Sequence, residues 1–408
     1  MNFETSISIR KHIEIKTSLV YMILLSIMFI AVSYTLSFQA GMPAYWTNIT
    51  LYFKFFVFFL DVVFLSIHLE QNNGKIDILS IRIYLCLLYI ALIAFLVFAS
   101  SILKLFADGF AWPLTYLVFF QYFKKHDSPQ NLKLVVVLCH YICCLFLVRT
   151  ILTIHLDGTN LGPVYHAIVF LPMILLLCKK KEVFIHSLFT FILLFLSAKR
   201  TGLITLILGF SSYFILTIKN QNSQKKKWKV ILGVLLLALL LIVFSSFYSV
   251  QANYILQRLS SISKDQGSGR FRVWAQIIEL VKESPLNKKV FGHGFQAVPY
   301  FVHPYKTDND KFLFAHNSYI EILYDLGFVG LVIIVLVVIS MLCFLLRLIR
   351  ANSSLAPTAA FAICIVLAFS LTSYFFEESN YIMMISVYWG IIRGKSYKKS
   401  TILLHGIT

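Results

Sequence analysis

Charge is scarce in this chain. Asp, Glu, Lys and Arg make up 13% of its 408 residues, about half the share of a soluble protein. Hydrophobic residues make up 59%, and mean hydropathy is +0.81. A soluble globule of that composition could not cover its surface with polar groups, so an all-α polytopic membrane protein is expected. Metal-binding cysteine patterns are also missing. Cys86, Cys139, Cys143, Cys144, Cys178, Cys343 and Cys364 all fall in apolar stretches, with no CxxC and no Cys/His spacing. They read as small buried hydrophobes. No internal repeat or inverted pair of halves is evident, which speaks against many secondary transporters. No small-residue cleavage site follows the first apolar stretch, which reads as an uncleaved first span.

What is present is a series of apolar segments. They lie near 18–38, 49–69, 83–103, 110–123, 134–154, 164–178, 182–198, 202–218, 230–248, 326–346, 356–373 and 381–392, about twelve spans in all. The net charge of +18 collects at their ends, which points to membrane topology rather than a nucleic-acid groove. With a cytoplasmic N-terminus, one side carries Arg10, Lys11 and Lys16; Lys75 and Arg82; Lys124, Lys125 and Lys133; and Lys179 to Lys181. Later loops on that side carry Lys219, Lys225 to Lys227 and Lys229; Arg347 and Arg350; and Arg393, Lys395, Lys398 and Lys399. The opposite short loops, 39–48, 155–163 and 374–380, hold no Lys or Arg. Both termini are therefore expected in the cytoplasm. Three parts follow: an N-terminal bundle of about nine helices (1–248), a large outer loop (249–325), and C-terminal spans with a cytoplasmic tail (326–408).

The outer loop holds most of the chemistry. After Asp265-Gln266-Gly267-Ser268-Gly269, the residues Phe271, Trp274, Ile278 and Val281 recur at helical spacing with Ile277 beside them. This predicts an amphipathic helix on the membrane surface or against the bundle, with Arg270 and Arg272 at its start. Gly292 and Gly294 allow backbone angles closed to other residues and a close approach to a ligand. Ser318 and Glu321 stand in a capping-box relation, so a helix should begin there and lead into the tenth span. His316 and Asn317 then precede a helix N-terminus, a setting that favours anions and a neutral imidazole. Such a histidine can take a proton from a hydroxyl near neutral pH, although a lone histidine is more often a structural hydrogen-bonder. Two more features face outward. Arg149 sits deep near the outer end of the fifth span, and Lys199-Arg200 occupy a short outer loop that should hold no cations. Snorkelling accounts for either; an anionic ligand is the functional alternative.

Taken in order, Ser268-Gly269-Arg270 to Trp274, Gly292 with Gly294, and His316-Asn317 with Glu321, Gly327 and Gly330 resemble the shared region of bacterial O-antigen polymerases (Wzy-type) and O-antigen ligases. The upstream Gly158-Thr159-Asn160-Leu161-Gly162-Pro163 is similar to their Asn-containing outer loop. Ser197 to Gly202 is similar to their Ser-Arg-Gly-type turn, with the serine displaced. The resemblance covers roughly residues 150–345. It implies a metal-independent glycosyltransferase of GT-C-like architecture that uses no cofactor. Its donor and acceptor would be glycans linked to undecaprenyl pyrophosphate, on the periplasmic face of the bacterial inner membrane. Membrane lipids, a chain-length regulator and a flippase are the implied partners; nucleic acid is not one.

For such a transfer, Arg200 and Arg270 are assigned to the pyrophosphate, with Arg149 and Arg272 as further candidates. His316 is the base or orients the acceptor hydroxyl, and Asn317 assists. Asn160, Gly292 and Gly294 would contact substrate. Trp274 packs a sugar or anchors its helix. The motifs do not separate polymerase from ligase; the polymerase is preferred because polymerases are more numerous and diverse. A capsule polymerase fits equally, and a lipid-linked oligosaccharide flippase or transporter is the competitor of another class. Asp308-Asn309-Asp310, with His293 and His303 near in sequence, has the DxD form of a divalent-ion site; such a triplet is common in polar loops.

The charge partition yields a direct test. Reporter tags after Lys227 and at Thr408 should report cytoplasm and one near Asp308 the outer side; an outer C-terminus would require an odd number of spans.

Overall fold

A computed structural model describes residues 3–37, 45–72, 75–97, 101–126, 128–153, 164–197, 200–220, 270–301, 315–373, 375–376 and 379–405. Among these residues there is no strand. The helices are α1 (Phe3–Ser37), α2 (Tyr45–Gln71), α3 (Ile78–Leu96) and α4 (Ile102–Lys104). A π turn (Leu105–Phe110) joins α4 to α5 (Ala111–Lys125), and a 3-10 turn (Pro129–Leu132) leads into α6 (Lys133–Thr153). Next come α7 (Val164–Leu177), α8 (Lys180–Leu196), α9 (Arg200–Lys219), α10 (Arg270–Glu283), α11 (Leu286–Phe291) and α12 (Val298–Phe301). Last are α13 (Ser318–Asp325), α14 (Gly327–Arg350), α15 (Ala356–Thr372) and α16 (Ser379–His405).

Among the described residues, seven helices are long and apolar enough to cross a membrane, and α7 and α15 are shorter apolar helices. The protein is an all-α polytopic membrane protein. The span expected near 230–248 lies outside the described residues. Where boundaries differ from those expected, three of the differences bring charged residues into helices. The third span begins at Ile78, because Asp77 accepts the Ser80 backbone N–H (3.0 Å) and caps the helix; Arg82 is therefore inside it. The fourth begins at Ile102 and takes in Lys104 and Asp108. The last helix continues past its apolar run to His405, so Arg393 is helical and donates to the Tyr116 hydroxyl (3.1 Å).

The chain forms two compact units, each discontinuous in sequence. One comprises Met1–Tyr89, Ser101–Cys143 and Glu378–Thr408. Here α2 and α5 pack in parallel, as a second and a fourth span must. Lys54 Nζ meets Asp108 Oδ1 at 2.7 Å, and Thr115 Oγ1 donates to Asp61 Oδ2 at 2.7 Å. Both steps, 54 to 61 and 108 to 115, are one heptad, so a single seam carries both contacts. Asp108 lies in the π turn, a local widening of the helix often found at functional sites. It also accepts from the Ser379 hydroxyl (2.8 Å) and backbone N–H (3.3 Å) at the start of α16. Farther along, α16 lies backbone-close on α5. A Cβ at Gly390 would come within 2.7 Å of the Phe119 Cβ, and one at Gly394 within 2.8 Å of the Phe120 carbonyl. Small residues four apart allow that approach where no hydrophobic force drives helices together.

The other unit comprises Ile90–Ser100 and Cys144–Glu377. Its interior helices α7 and α15 are apolar on every side and almost wholly buried, as such helices must be. The α9 helix packs on α15, with Gly209 against the ring of Phe361 and Ser212 Oγ 3.6 Å from Cys364 Sγ. By contrast α14 exposes Phe328, Val332, Leu336 and Ile339, an apolar face suited to lipid.

The buried ion pair can be tested. Asp108→Leu would leave the Lys54 ammonium uncompensated and should lower stability by about 3–5 kcal/mol. Lys54→Met combined with Asp108→Asn removes both charges and keeps an acceptor for Ser379, so it should recover most of that loss in a thermal melt in detergent.

Candidate functional site

The site belongs to the second unit and is assembled from helix ends. α10 starts at Arg270, as expected, but its buried stripe is Val273, Ile277 and Val281. These pack with Ala297, Val298, Ala315 and Tyr324, and Trp274, Leu280, Ile320 and Leu323 flank them. Phe271 and Ile278, expected on the apolar face that meets the membrane surface or the bundle, are 49% and 38% exposed. The partner is α13 with its flanking loops, and it covers the expected Trp274, Ile277 and Val281 together with Val273. Trp274 donates its indole N–H to the Ala315 carbonyl at 2.7 Å. That bond anchors the residue just before His316 to α10.

His316 is half-buried and holds a positive φ of 51°. Non-glycine residues rarely adopt that conformation, and it concentrates at functional sites. The cap comes one residue earlier than expected. Asn317 is the N-cap, its Oδ1 accepting from the backbone N–H groups of Tyr319 (3.1 Å) and Ile320 (3.3 Å). Ser318, freed from capping, is fully buried. It donates to the Ser373 carbonyl (2.9 Å) and accepts from the Phe376 N–H (3.4 Å). The Ser370 hydroxyl donates to the Tyr319 hydroxyl at 3.0 Å. Glu321, now in the fourth helical position, is 1% exposed and takes no part in a capping box.

Arg270 reaches the same place from α10, donating from Nη1 to the Thr372 carbonyl at 3.1 Å. Thr372 and Ser373 are consecutive. The arginine and the α13 N-terminus are thus fastened to adjoining carbonyls at the end of α15, where the helix leaves acceptors unpaired. A third helix start joins them. Tyr165, at the beginning of α7, hydrogen-bonds the Thr201 side chain of α9 and lies within electrostatic reach of Arg270. Arg200 is the first residue of α9. Two residues on, Gly202 packs closely against the Leu194 side chain, whose Cδ2 would lie 2.4 Å from a Cβ there. The structure therefore brings together Arg270, His316, Asn317 and the Thr201 end of α9. Tyr165 was not expected; its position just after the Asn-containing loop was the available signal. Arg272 is exposed on α10 and Arg149 exposed on α6. Asn160, His303 and Asp308-Asn309-Asp310 lie outside the described residues. Among the described residues no three His, Cys, Asp or Glu side chains are grouped to hold a metal ion.

The two glycine motifs meet each other. Gly292 (φ 85°) and Gly327 (φ 67°) are in contact: a Cβ on Gly292 would lie 2.2 Å from the Asp325 carbonyl, and one on Gly327 2.5 Å from the Gly292 nitrogen. The close approach that glycine permits here is to the protein's own backbone. The N–H groups of His293 and Gly294 donate to the Tyr324 and Asp325 carbonyls (2.9 Å each), closing the end of α13. Asp325 in turn accepts the Val298 N–H at 2.9 Å. His293 stacks on Tyr324 at 4.1 Å and lies 3.1 Å from both the Tyr324 carbonyl and the Ser284 hydroxyl. Burial, with Lys288 nearby, pushes the imidazole below its ordinary pKa despite the Tyr324 carbonyl. Burial and the adjoining Asp325 push the Tyr324 phenol up to about 12.

Residues 185–335 match the family profile described as O-antigen ligase. The match runs from within α8 to the middle of α14 and takes in every residue of the convergence just described except Tyr165 and the α15 end. The match supports a likeness of this region to the O-antigen ligase/polymerase family, whose members are glycosyltransferase-like enzymes. No curated protein matches the chain.

His293 makes this region acid-sensitive. The unfolded chain takes up this proton at the ordinary pKa of about 6.5, the folded chain only at lower pH, so acid favours unfolding. Stability should be full above pH 6.5 and fall as pH drops below it. In a melt series from pH 7.5 to 5.5, His293→Gln should be less stable at pH 7.5 and show a shallower decline; an unchanged slope would separate the imidazole from the effect.

Proposed function

We propose that this protein is a polysaccharide polymerase. It transfers the growing glycan from undecaprenyl pyrophosphate to the next lipid-linked repeat unit, in O-antigen or capsule synthesis. The observation that carries the reading is the attachment of Arg270 and of the His316-Asn317 helix start to consecutive carbonyls of one helix end. In the transfer, the acceptor oxygen forms a bond to the anomeric carbon as the bond from that carbon to the pyrophosphate oxygen breaks. The hydroxyl proton goes to His316, and the electron pair leaves with the pyrophosphate. The leaving group carries its own charge well, so the enzyme's work is to hold reactants in line and to neutralise growing phosphate charge. Arg270 and Arg200 serve that purpose through the guanidinium fork, supported by the N-terminus of α13.

A ligase that moves the glycan to lipid A-core is the second reading, and the matching family, described as O-antigen ligase, does not separate the two. The two chemistries share donor and leaving group and differ in the acceptor. The glycan profile of a deletion strain separates them. Loss of long chains with one repeat retained on the core means polymerase; loss of every repeat from the core means ligase.

Asparagine tolerates a positive φ, so His316→Asn should accumulate normally in the membrane yet lose about 10²–10⁴-fold in transfer rate. Arg270→Ala should abolish long chains, and Arg270→Lys should rescue poorly because lysine keeps the charge without the fork. Each comparison is made at equal protein level, since Arg270 also holds the α15 end. A fully active His316→Asn would remove the base assignment.

A further inference from the structure

The first unit carries a cleft that the transfer reaction does not use. It is a shallow, open cleft of about 240 Å³ counting the solvent at its mouth, lined among others by His68, Lys75, Asp77, Ser80, Tyr84 and Gln121. It lies where span ends meet: the end of α2, the start of α3 and the end of α5. Its polar wall is built rather than incidental. Gln121 is 4% exposed and His68 9%. Gln121 Nε2 donates to the Asp77 carboxylate and sits 3.2 Å from the Ser80 hydroxyl. Lys16, 6% exposed, reaches in from α1 to His68 Nδ1 at 3.3 Å and to Gln71 Oε1.

The carboxylate in the wall is fully engaged. Asp77 accepts from the Ser80 N–H (3.0 Å), the Ser80 hydroxyl (3.2 Å) and Gln121. Burial alone would raise its pKa, but these donors, with Lys124 nearby, hold it below the ordinary carboxylate value. Four lysines stand around the cleft. Lys75 lines the cleft, and Lys16, Lys124 and Lys125 lie within electrostatic reach of His68. Beside the polar wall Ile76, Ile78 and Ile81 are 44%, 70% and 44% exposed, and Tyr84 extends the lining a turn into the third span.

A cation-rich polar cleft at the ends of spans, open beside exposed isoleucines, fits a headgroup whose chains run down the protein. We infer that this cleft binds the phosphate headgroup of an anionic membrane phospholipid, with Lys75 and Lys125 as its outer cations and the isoleucines against the acyl chains. A soluble phosphate compound presents the same charge but has nothing to place against the isoleucines.

The test uses the full chain purified in detergent, followed by its thermal melt. Dioleoylphosphatidylglycerol should raise Tm saturably, whereas dioleoylphosphatidylcholine should not. Lys75→Gln with Lys125→Gln, both exposed, should leave the lipid-free Tm unchanged and raise the half-saturating concentration about 25-fold, at about fivefold per lysine. The corresponding double arginine variant should titrate like the wild type. Lys180→Gln with Lys181→Gln, exposed cations on α8, should also titrate like the wild type; equal weakening there would reduce the effect to overall charge and overturn the site. An unaltered titration of the Lys75/Lys125 double glutamine variant would overturn it as well. Equal shifts with phosphatidylcholine would remove the requirement for an anion, and an equal shift with glycerol 3-phosphate at the same concentration would overturn the lipid assignment.

Discussion

A peptide group in hydrocarbon has no water to bond, and each one left unpaired costs several kcal/mol. The architecture follows from that constraint. Only helices satisfy every backbone group within their own segment, so the chain is helical wherever it crosses. Unpaired donors and acceptors then survive only at helix ends, which lie near the two membrane faces. Those ends are where ligand-binding chemistry can be placed at least expense. The candidate site is a meeting of such ends. The carbonyls finishing α15 receive Arg270 and Ser318, beside the Asn317-capped start of α13 and the Thr201 end of α9. An anionic leaving group needs that polarity, and the fold supplies it before any catalytic side chain is counted.

The same constraint explains the charges that are kept inside. Lys54 and Asp108 face each other across α2 and the π turn, and Ser379 completes the carboxylate's coordination by donors. An isolated charge there would be expelled or neutralised; a paired one fixes which helices are neighbours and at what height. The heptad step to Asp61 and Thr115 repeats the register, so α2 and α5 have one way to lie together.

Hydropathy made most of the fold legible in the sequence. Every apolar run within the described residues became a helix, because length and composition alone decide what the membrane accepts. Boundaries were less legible. Asp77, Lys104 and Asp108 read as loop residues until partners in other helices are known, and no single sequence displays those partners. At the site, the order of motifs and the polar start of α13 pointed to Arg270, His316 and Asn317. The capping residue was misplaced by one position, since asparagine and serine cap equally well. What decided between them was tertiary: Ser318 is required by Ser373 and Phe376. Tyr165 was missed for the same reason, its meaning depending on Thr201 and Arg270. Phe271 and Ile278 stay outside the packed stripe of α10 because periodicity gives the existence of an apolar face and not the width of its partner.

Gly292 and Gly327 occupy one another's side-chain space, each against the backbone of the other's segment. Most tight contacts in a protein can be relaxed genetically: a residue grown too large on one side is accommodated by a smaller one opposite. Here both sides are already at the smallest residue the genetic code offers. No second-site exchange between the two can restore the fit, so suppressors of a lesion at either position must arise as reversions or as displacements of whole segments.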